Sequence, residues 1–456
     1  MCLSGCAVGP DYKQPETAVG SQFANADIGG FTEEDVRADF WAVFGEPALD
    51  ELVQAALETN KDLELALANL RASRAARRLT GFDSYPTVTA SAGIFHRLQS
   101  EHQLPGFTRE QREGDDLDAG FDASWELDFF GRVRRSREAA SADEQVAVAQ
   151  LRDAQVTVTA EVARNYFVLR GLQEQLDVAV RNAENQRQTL GLTQARLDAG
   201  RGTELDRSRA EAQLKTTLAS IPPLQASIAT TIYRLSVLTG SLPDALSAKL
   251  ASPQPLPALP QLNAIGRPDA LLRRRPDIRI AERSLAASTA RIGVAVGDLF
   301  PKVTFIGAVG YSAANFSNLG DAHTYRFAYG PTISWAAFDL GRVRARIDIA
   351  EAQTQAALAA YESTVLTALE ETEGALVTYG YAQSRRATLE EAAAASSKAA
   401  SLARQRFEGG LADFLNVLDA ERDALSAQDS LAQSRTQTAT SLIAVYKALG
   451  GGWLEK

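Results

Sequence analysis

Ser124-Trp125, followed by Gly131-Arg132-Val133-Arg134, recurs as Ser334-Trp335, followed by Gly341-Arg342-Val343-Arg344. The offset, 334 − 124, is 210 residues. At the same offset Arg196-Leu197-Asp198-Ala199-Gly200 meets Arg406-Phe407-Glu408-Gly409-Gly410, and Ala210-Glu211 meets Ala420-Glu421. Upstream, Asp62-Leu63 and Ala66 answer to Asp277-Ile278 and Ala281, and Tyr85-Pro86 to Phe300-Pro301, at an offset of 215. The change of offset falls between Tyr85 and Trp125, where a loop between strands belongs. One such match is chance; an ordered series is a duplication. The copies run from about 47 to 242 and from about 266 to 450. Pro243, Pro253, Pro255, Pro257 and Pro260 mark a linker over 243–265, because proline fits neither a helix interior nor a central strand. Residues 1–46 read as an extended tether and 451–456 as a tail.

Each copy opens with a helical stretch, about 47–80 and about 276–297. Pro276-Asp277 is a good helix start, with proline in the first turn and an acid at the positive end. Arg273-Arg274-Arg275 before it reads as a solvated patch. Two strands follow in each copy, over about 85–130 and 300–338. Phe121, Ala123, Trp125, Leu127 and Phe129 alternate with Asp122, Ser124, Glu126 and Asp128. Phe327, Tyr329, Pro331, Ile333 and Trp335 alternate with Ala328, Gly330, Thr332 and Ser334. Weaker partners are Val88, Ala90, Ala92, Ile94 and Val303, Phe305, Gly307, Val309, Tyr311. Period two gives one apolar and one polar face. About ten residues suits a tilted strand across a bilayer. It suits a half-buried sheet of a soluble protein as well.

After Gly131 and Gly341 the period changes. Val148, Leu151, Gln155, Val158, Val162, Asn165, Leu169, Leu172, Leu176 and Ala179 form a heptad seam, repeated by Val365, Leu369, Thr372, Leu376 and Tyr379. A helix from about 132 to 197 is on the order of 100 Å long, too long for a compact domain. Each rod then reaches glycine, at Gly200 and Gly202 or at Gly409 and Gly410, and a second helical stretch returns to about 240 or 448. Rod, turn and returning rod make a helical hairpin. Arg132, Arg134, Arg135 and Arg137, with Arg342, Arg344 and Arg346, read as a solvated face at the start of each rod.

The bulk composition agrees with long helices. Hydrophobic residues are 45%, much of it Ala, and aromatics only 7%. A net charge of -10 argues against nucleic acid as a partner. The only cysteines are Cys2 and Cys6, and the three histidines, His96, His102 and His323, lie in or beside strands and loops. No catalytic set, P-loop or metal cluster stands out, so neither an enzyme nor a cofactor is expected. No run of about 18 apolar residues suggests a membrane helix; closed β-structure is the other way across a bilayer. Leu3-Ser4-Gly5-Cys6 resembles a bacterial lipobox, with Cys6 as the acylated residue.

Together these segments resemble the outer-membrane efflux protein family, TolC-like, in its lipoprotein (NodT-type) branch. The resemblance covers about 6 to 450. It rests on Gly5-Cys6-Ala7-Val8-Gly9-Pro10-Asp11-Tyr12, Trp125-Glu126-Leu127-Asp128-Phe129-Phe130-Gly131-Arg132, Arg274-Arg275-Pro276-Asp277-Ile278, Phe300-Pro301 and Asn416-Val417-Leu418-Asp419-Ala420. It implies a mainly α chain with a membrane β-barrel contribution: a homotrimer with a twelve-stranded barrel in the outer membrane and an α-helical tunnel in the periplasm. It implies a passive exit duct for small molecules, supplied by an inner-membrane RND-type transporter through a periplasmic membrane-fusion adaptor. The exit duct of a type I protein secretion system shares the fold. A soluble coiled-coil scaffold explains the heptads but not the four alternating segments.

The resemblance also implies sites. Leu415 and Asp419 stand where relatives have a hydrophobic and an acidic ring at the periplasmic gate. Asn416 stands where some have a second Asp. Three carboxylates around a narrow axis repel one another and attract cations, while three leucines exclude water. The tips, Gly200, Gly202 and Thr203 with Gly409, Gly410 and Leu411, are candidate adaptor contacts.

Overall fold

The computed structural model describes residues 7–17, 19–25, 32, 34, 39–260 and 264–453. The lipidation candidate Cys6 lies outside them. The element order is α1 (Pro47–Thr59), α2 (Lys61–Phe82), β1 (Thr87–Leu98), α3 (Arg109–Arg112), β2 (Glu113–Leu127), α4 (Arg132–Asp198), α5 (Glu204–Leu238), α6 (Ser247–Leu250), α7 (Pro268–Arg274), α8 (Pro276–Gly297), β3 (Lys302–Ala313), β4 (Tyr325–Ser334), α9 (Leu340–Glu408) and α10 (Phe414–Ala448). The chain forms two compact units, and each draws on both sequence repeats. One comprises Met1–Glu16, Asn69–Val148 and Ile280–Glu362; the other comprises Thr17–Ala68, Ala149–Arg279 and Ser363–Lys456.

The first unit holds one antiparallel sheet in the order β1-β2-β3-β4. Its register puts Ala90, Phe121, Val309 and Phe327 in one row across all four strands, with Val88, Ala123, Gly307 and Tyr329 in the next apolar row. The intervening rows carry Thr89, Asp122, Ala308 and Ala328, then Ser91, Gly120, Gly310 and Arg326. The alternation read strand by strand is therefore in phase over the whole sheet, and a one-residue slip at any pairing would destroy that. β2 begins eight residues before Phe121, through the acidic stretch Glu113–Asp118. Only Leu117 and Ala119 continue the apolar row there, too sparse a signal to read.

β2 and β3 join the two repeats, and within that ladder Gly120 faces Gly310. A Cβ on Gly310 would lie 2.4 Å from the Ala119 carbonyl oxygen, and one on Gly120 2.6 Å from that of Val309. Paired strand glycines of this kind mark a bend. The duplication also survives in single hydrogen bonds. The Trp125 indole N–H donates to the Ser84 carbonyl at 3.0 Å, and that of Trp335 to Leu299 at 3.0 Å. Donors and acceptors are related by the two offsets of the sequence.

The second unit is helical. The stretch expected as one helix over 47–80 is broken at Asn60, which is extended and buried. Its side-chain oxygen accepts from the Asp62 and Leu63 amides, capping α2, and its Nδ2 donates to the Leu238 carbonyl at 2.8 Å. α4 shows more burial than a single seam allows. Val156, Val158, Thr159, Ala160, Val162, Ala163, Tyr166, Phe167, Leu169, Arg170, Gly171 and Gln173 are all buried. The reason is the cluster that surrounds it: Phe40 and Phe44, Leu49 and Val53 of α1, Ile232 and Leu235 of α5, Leu376 of α9, and Leu442 and Tyr446 of α10. Local periodicity reports one partner and is silent on the others. α5 runs through Pro222-Pro223, although each proline deletes a helical hydrogen bond.

The charged patches expected to be solvated are exposed at Arg273, Arg134, Arg137, Arg342, Arg344 and Arg346, but two of their members are not. Arg275 is buried. It pairs with Asp277 at 2.6 Å and Glu371 at 2.7 Å and donates to the Ala448 carbonyl at 3.1 Å. Arg135 is buried as well, and Arg132 pairs with Glu126. A run of arginines looks the same whether its members face water or a carboxylate far away in sequence. Burial near Arg275 also pushes the Asp153 carboxyl above its ordinary range. Arg275→Met should lower stability of the helical unit by about 2–3 kcal/mol, somewhat less than a fully buried broken pair because Glu371 is half exposed. The urea midpoint of the helical signal reads this, and an unchanged midpoint would refute it.

Candidate functional site

Each helical hairpin turns through the same main-chain device. At the first tip the Gly200 amide donates to the Leu197 carbonyl at 2.9 Å and the Arg201 amide to Arg196 at 2.8 Å. At the second, the Gly410 amide donates to Phe407 at 2.9 Å and the Leu411 amide to Arg406 at 2.8 Å. This pair of bonds closes a helix end around a left-handed residue, and Gly200 and Gly410 have φ of 68° and 72°. The other two tip glycines, Gly202 and Gly409, do not have positive φ. Gly202 is needed for space, since a Cβ would lie 3.0 Å from the Leu197 nitrogen, whereas at Gly409 it would meet nothing nearer than 3.5 Å. Thr203 caps α5, its hydroxyl accepting from the Asp206 amide at 3.2 Å. Leu411 is exposed.

The second tip is sorted by helical period. Phe414, Val417 and Leu418 point into a small apolar cluster with Phe407 and Ala210. Leu415, Asn416 and Asp419 fall on the other face and are exposed. Leu415 and Asp419, four residues apart, share one side of α10. The Arg196 guanidinium lies 4.2 Å over the Phe407 ring and donates to the Phe407 carbonyl at 3.0 Å, tying the two hairpins together. Glu421 belongs with them, and sequence reasoning used it only as a marker of the repeat. It is buried and accepts from the Thr189 hydroxyl at 2.9 Å and from Arg404 at 2.6 Å. Its repeat mate Glu211 pairs instead with Arg207. The spacing of Glu421 from Val417 and Leu418 puts it on the buried face, which is the signal that was available.

The sheet presents a second surface. A hollow of about 540 Å³ lies over Thr89, Asp122, Ser124, Ala308, Ala328 and Thr332 of its polar face. Asp116 and Asp118 on that face pair with Arg97 and Arg326, both at 3.1 Å. The opposite face exposes Val88, Phe121, Val309, Phe327, Tyr329 and Ile333. Tyr325, Phe327 and Tyr329 form a ladder of rings along β4, with centroids 6.0 and 6.1 Å apart. Among the described residues no helix is long and apolar enough to cross a membrane, and no group of three or more His, Cys, Asp or Glu is placed to hold a metal ion.

Residues 52–241 and 268–451 match the family model described as outer membrane efflux protein. The chain is 32% identical over 464 residues to the solvent efflux pump outer membrane protein SrpC of Pseudomonas putida, covering 99% of this chain and 97% of that one. It is 28% identical over 454 residues to nodulation protein T of Rhizobium leguminosarum bv. trifolii, covering 99% and 96%. Among solved structures, the outer-membrane channel OprN superposes with a TM-score of 0.92 at 43% identity, covering 98% of this chain and 100% of that one. That family is one of outer-membrane channels rather than enzymes, and its TolC-like fold is the one described above. The chain belongs to the outer membrane efflux protein family.

Proposed function

We propose that three copies of this chain close into one twelve-stranded barrel in the outer membrane, continued by an α-helical tunnel in the periplasm. The trimer is a passive duct for small molecules. An inner-membrane RND-type pump delivers them through a periplasmic adaptor. The observation that carries this reading is the sheet. All four apolar faces are in phase on one side of the sheet, the polar faces lie on the other, and β1 and β4 each have a partner on one side only. In a bilayer an open sheet edge leaves several kcal/mol per unsatisfied main-chain group, so the sheet must be closed by further strands. β1 and β4 of neighbouring copies, antiparallel to each other in a meander, supply that closure. SrpC is named for solvent efflux, which fits a duct that leaves the choice of solute to the pump.

Cys6 is the proposed acylation site, giving the chain a lipid anchor beside its barrel. Leu415 and Asp419 are the proposed gate, with Asn416 beside them. Their exposure in the single chain suits residues whose partners are their own symmetry mates. In planar-bilayer recordings Leu415→Ser should raise single-channel conductance by about 3-fold or more, because a polar ring no longer excludes water. Asp419→Asn should move the reversal potential in a salt gradient toward zero. Two unchanged traces would remove these residues from the gate.

The tips Gly200, Gly202, Thr203, Gly409, Gly410 and Leu411 are the proposed adaptor contacts. Gly409→Asp is a clean probe, since position 409 has ordinary φ and room for a side chain. It should abolish drug export in cells while leaving heat-stable trimer at the parent level. Full export with the same trimer yield would exclude the second tip as a contact.

A further inference from the structure

Residues 7–12 lie against α4 and α8 as an extended strap, gripped at almost every position. The Val8 amide donates to the Phe130 carbonyl at 3.1 Å. The guanidinium of Arg135, only 4% exposed, donates to the Val8 carbonyl at 3.1 Å, the Gly9 carbonyl at 3.3 Å and the Asp11 carboxylate at 2.7 Å. Gly9, at φ 86°, passes so close to α8 that a Cβ would lie 2.5 Å from the Gly293 Cα. A Cβ on Gly131, at φ 83°, would lie 2.6 Å from the Ala7 Cα. The Tyr12 hydroxyl donates to buried Glu282 at 2.9 Å, and its ring lies against the cluster of Ala142, Ala286 and Ala287. Burial and this carboxylate push the Tyr12 phenol well above its ordinary range.

The place gripped is where sheet becomes helix. Phe130 and Gly131 connect β2 to α4, and the Phe130 ring stacks on Phe300, which leads into β3, at 4.6 Å. Arg135 also pairs with Glu138 of α4 at 2.8 Å, so three of these four acceptor oxygens come from the strap, and a buried arginine is costly to strand without them. We propose that the α4–α8 surface is a peptide receptor for an extended segment of the pattern Val-Gly-Pro-Asp-Tyr, and that seating this strap in it completes both sheet–helix junctions and so licenses barrel assembly, whether or not Cys6 carries acyl chains. This rests on the trimeric-barrel reading above. The strap is thus more than a leash to a lipid: it is a structural part of the junction supplied from a distance.

Two arms test this. In an outer-membrane-bearing host, Cys6→Ser should give heat-stable trimer at the parent level, while Gly9→Val should give about tenfold less. In refolding from urea into detergent micelles, a chain beginning at residue 13 should keep its helical signal but form about tenfold less trimer than the parent. Adding the synthetic peptide Ala-Val-Gly-Pro-Asp-Tyr at millimolar concentration should restore it, and a scrambled peptide should not. Parent-level trimer from the shortened chain, no rescue by the peptide, or equal loss in Cys6→Ser and Gly9→Val would each overturn the proposal. A parent that forms no trimer at all would instead refute the barrel reading beneath it.

Discussion

The pairing of β2 with β3 is the constraint on which the rest depends. It is the one set of main-chain bonds that joins the two repeats within the sheet, with Gly120 opposite Gly310. That register brings four separately alternating segments into phase. With the phase set, Val, Phe, Tyr and Ile gather on one side of the sheet, and Asp, Ser and Thr on the other, with Ile306 and Phe95 among them. Two faces of opposite character suit a wall between lipid and water. The glycine pair lets the two backbones approach where a Cβ on either residue would meet the other strand's carbonyl oxygen.

Buried arginines do a second job, at a scale the heptads do not reach. Arg275 ties the start of α8 to Glu371 on α9 and to the end of α10. Arg135 ties α4 to the N-terminal strap. Each guanidinium offers five donors in a fixed fork and so can satisfy several oxygens from different elements at once. Long helices packed through alanine present few large side chains to lock them against sliding. A multidentate cation at a crossing fixes axial position where small-residue packing does not.

Duplication supplies symmetry, and the departures from it distinguish the two tips. The Schellman turns at Gly200 and Gly410 are alike to 0.1 Å or better in both bonds. The residues that follow are not. The first hairpin continues with Arg207 paired to Glu204 and Glu211 at the surface. The second packs Phe414, Val417 and Leu418 inward and buries Glu421 against Thr189 and Arg404. Identical turns set two tips; different faces leave only the second with an exposed leucine and aspartate in register.

Much of this was legible in the sequence, for a physical reason. Periodicity of two and of 3.6 is a local property, written into successive residues, so four strands, two hairpins and the sharp start at Pro276 are readable directly. Repetition at 210 and 215 residues orders those elements without any contact being known. The exposed placement of Leu415 and Asp419 also follows from helical spacing. What needed the tertiary structure was every feature whose partner is remote. The arginines at 135 and 275 look solvated until Asp11 and Glu371 arrive. Asn60 looks like mid-helix until Leu238 claims its amide. The buried girth of α4 appears only when the segments around Phe40 and Tyr446 close on it. Sequence determines which face of each element is apolar. Only the fold decides which polar groups leave water, because that depends on oxygens and nitrogens brought together from far along the chain, 96 residues for Arg275 and Glu371 and 124 for Arg135 and Asp11.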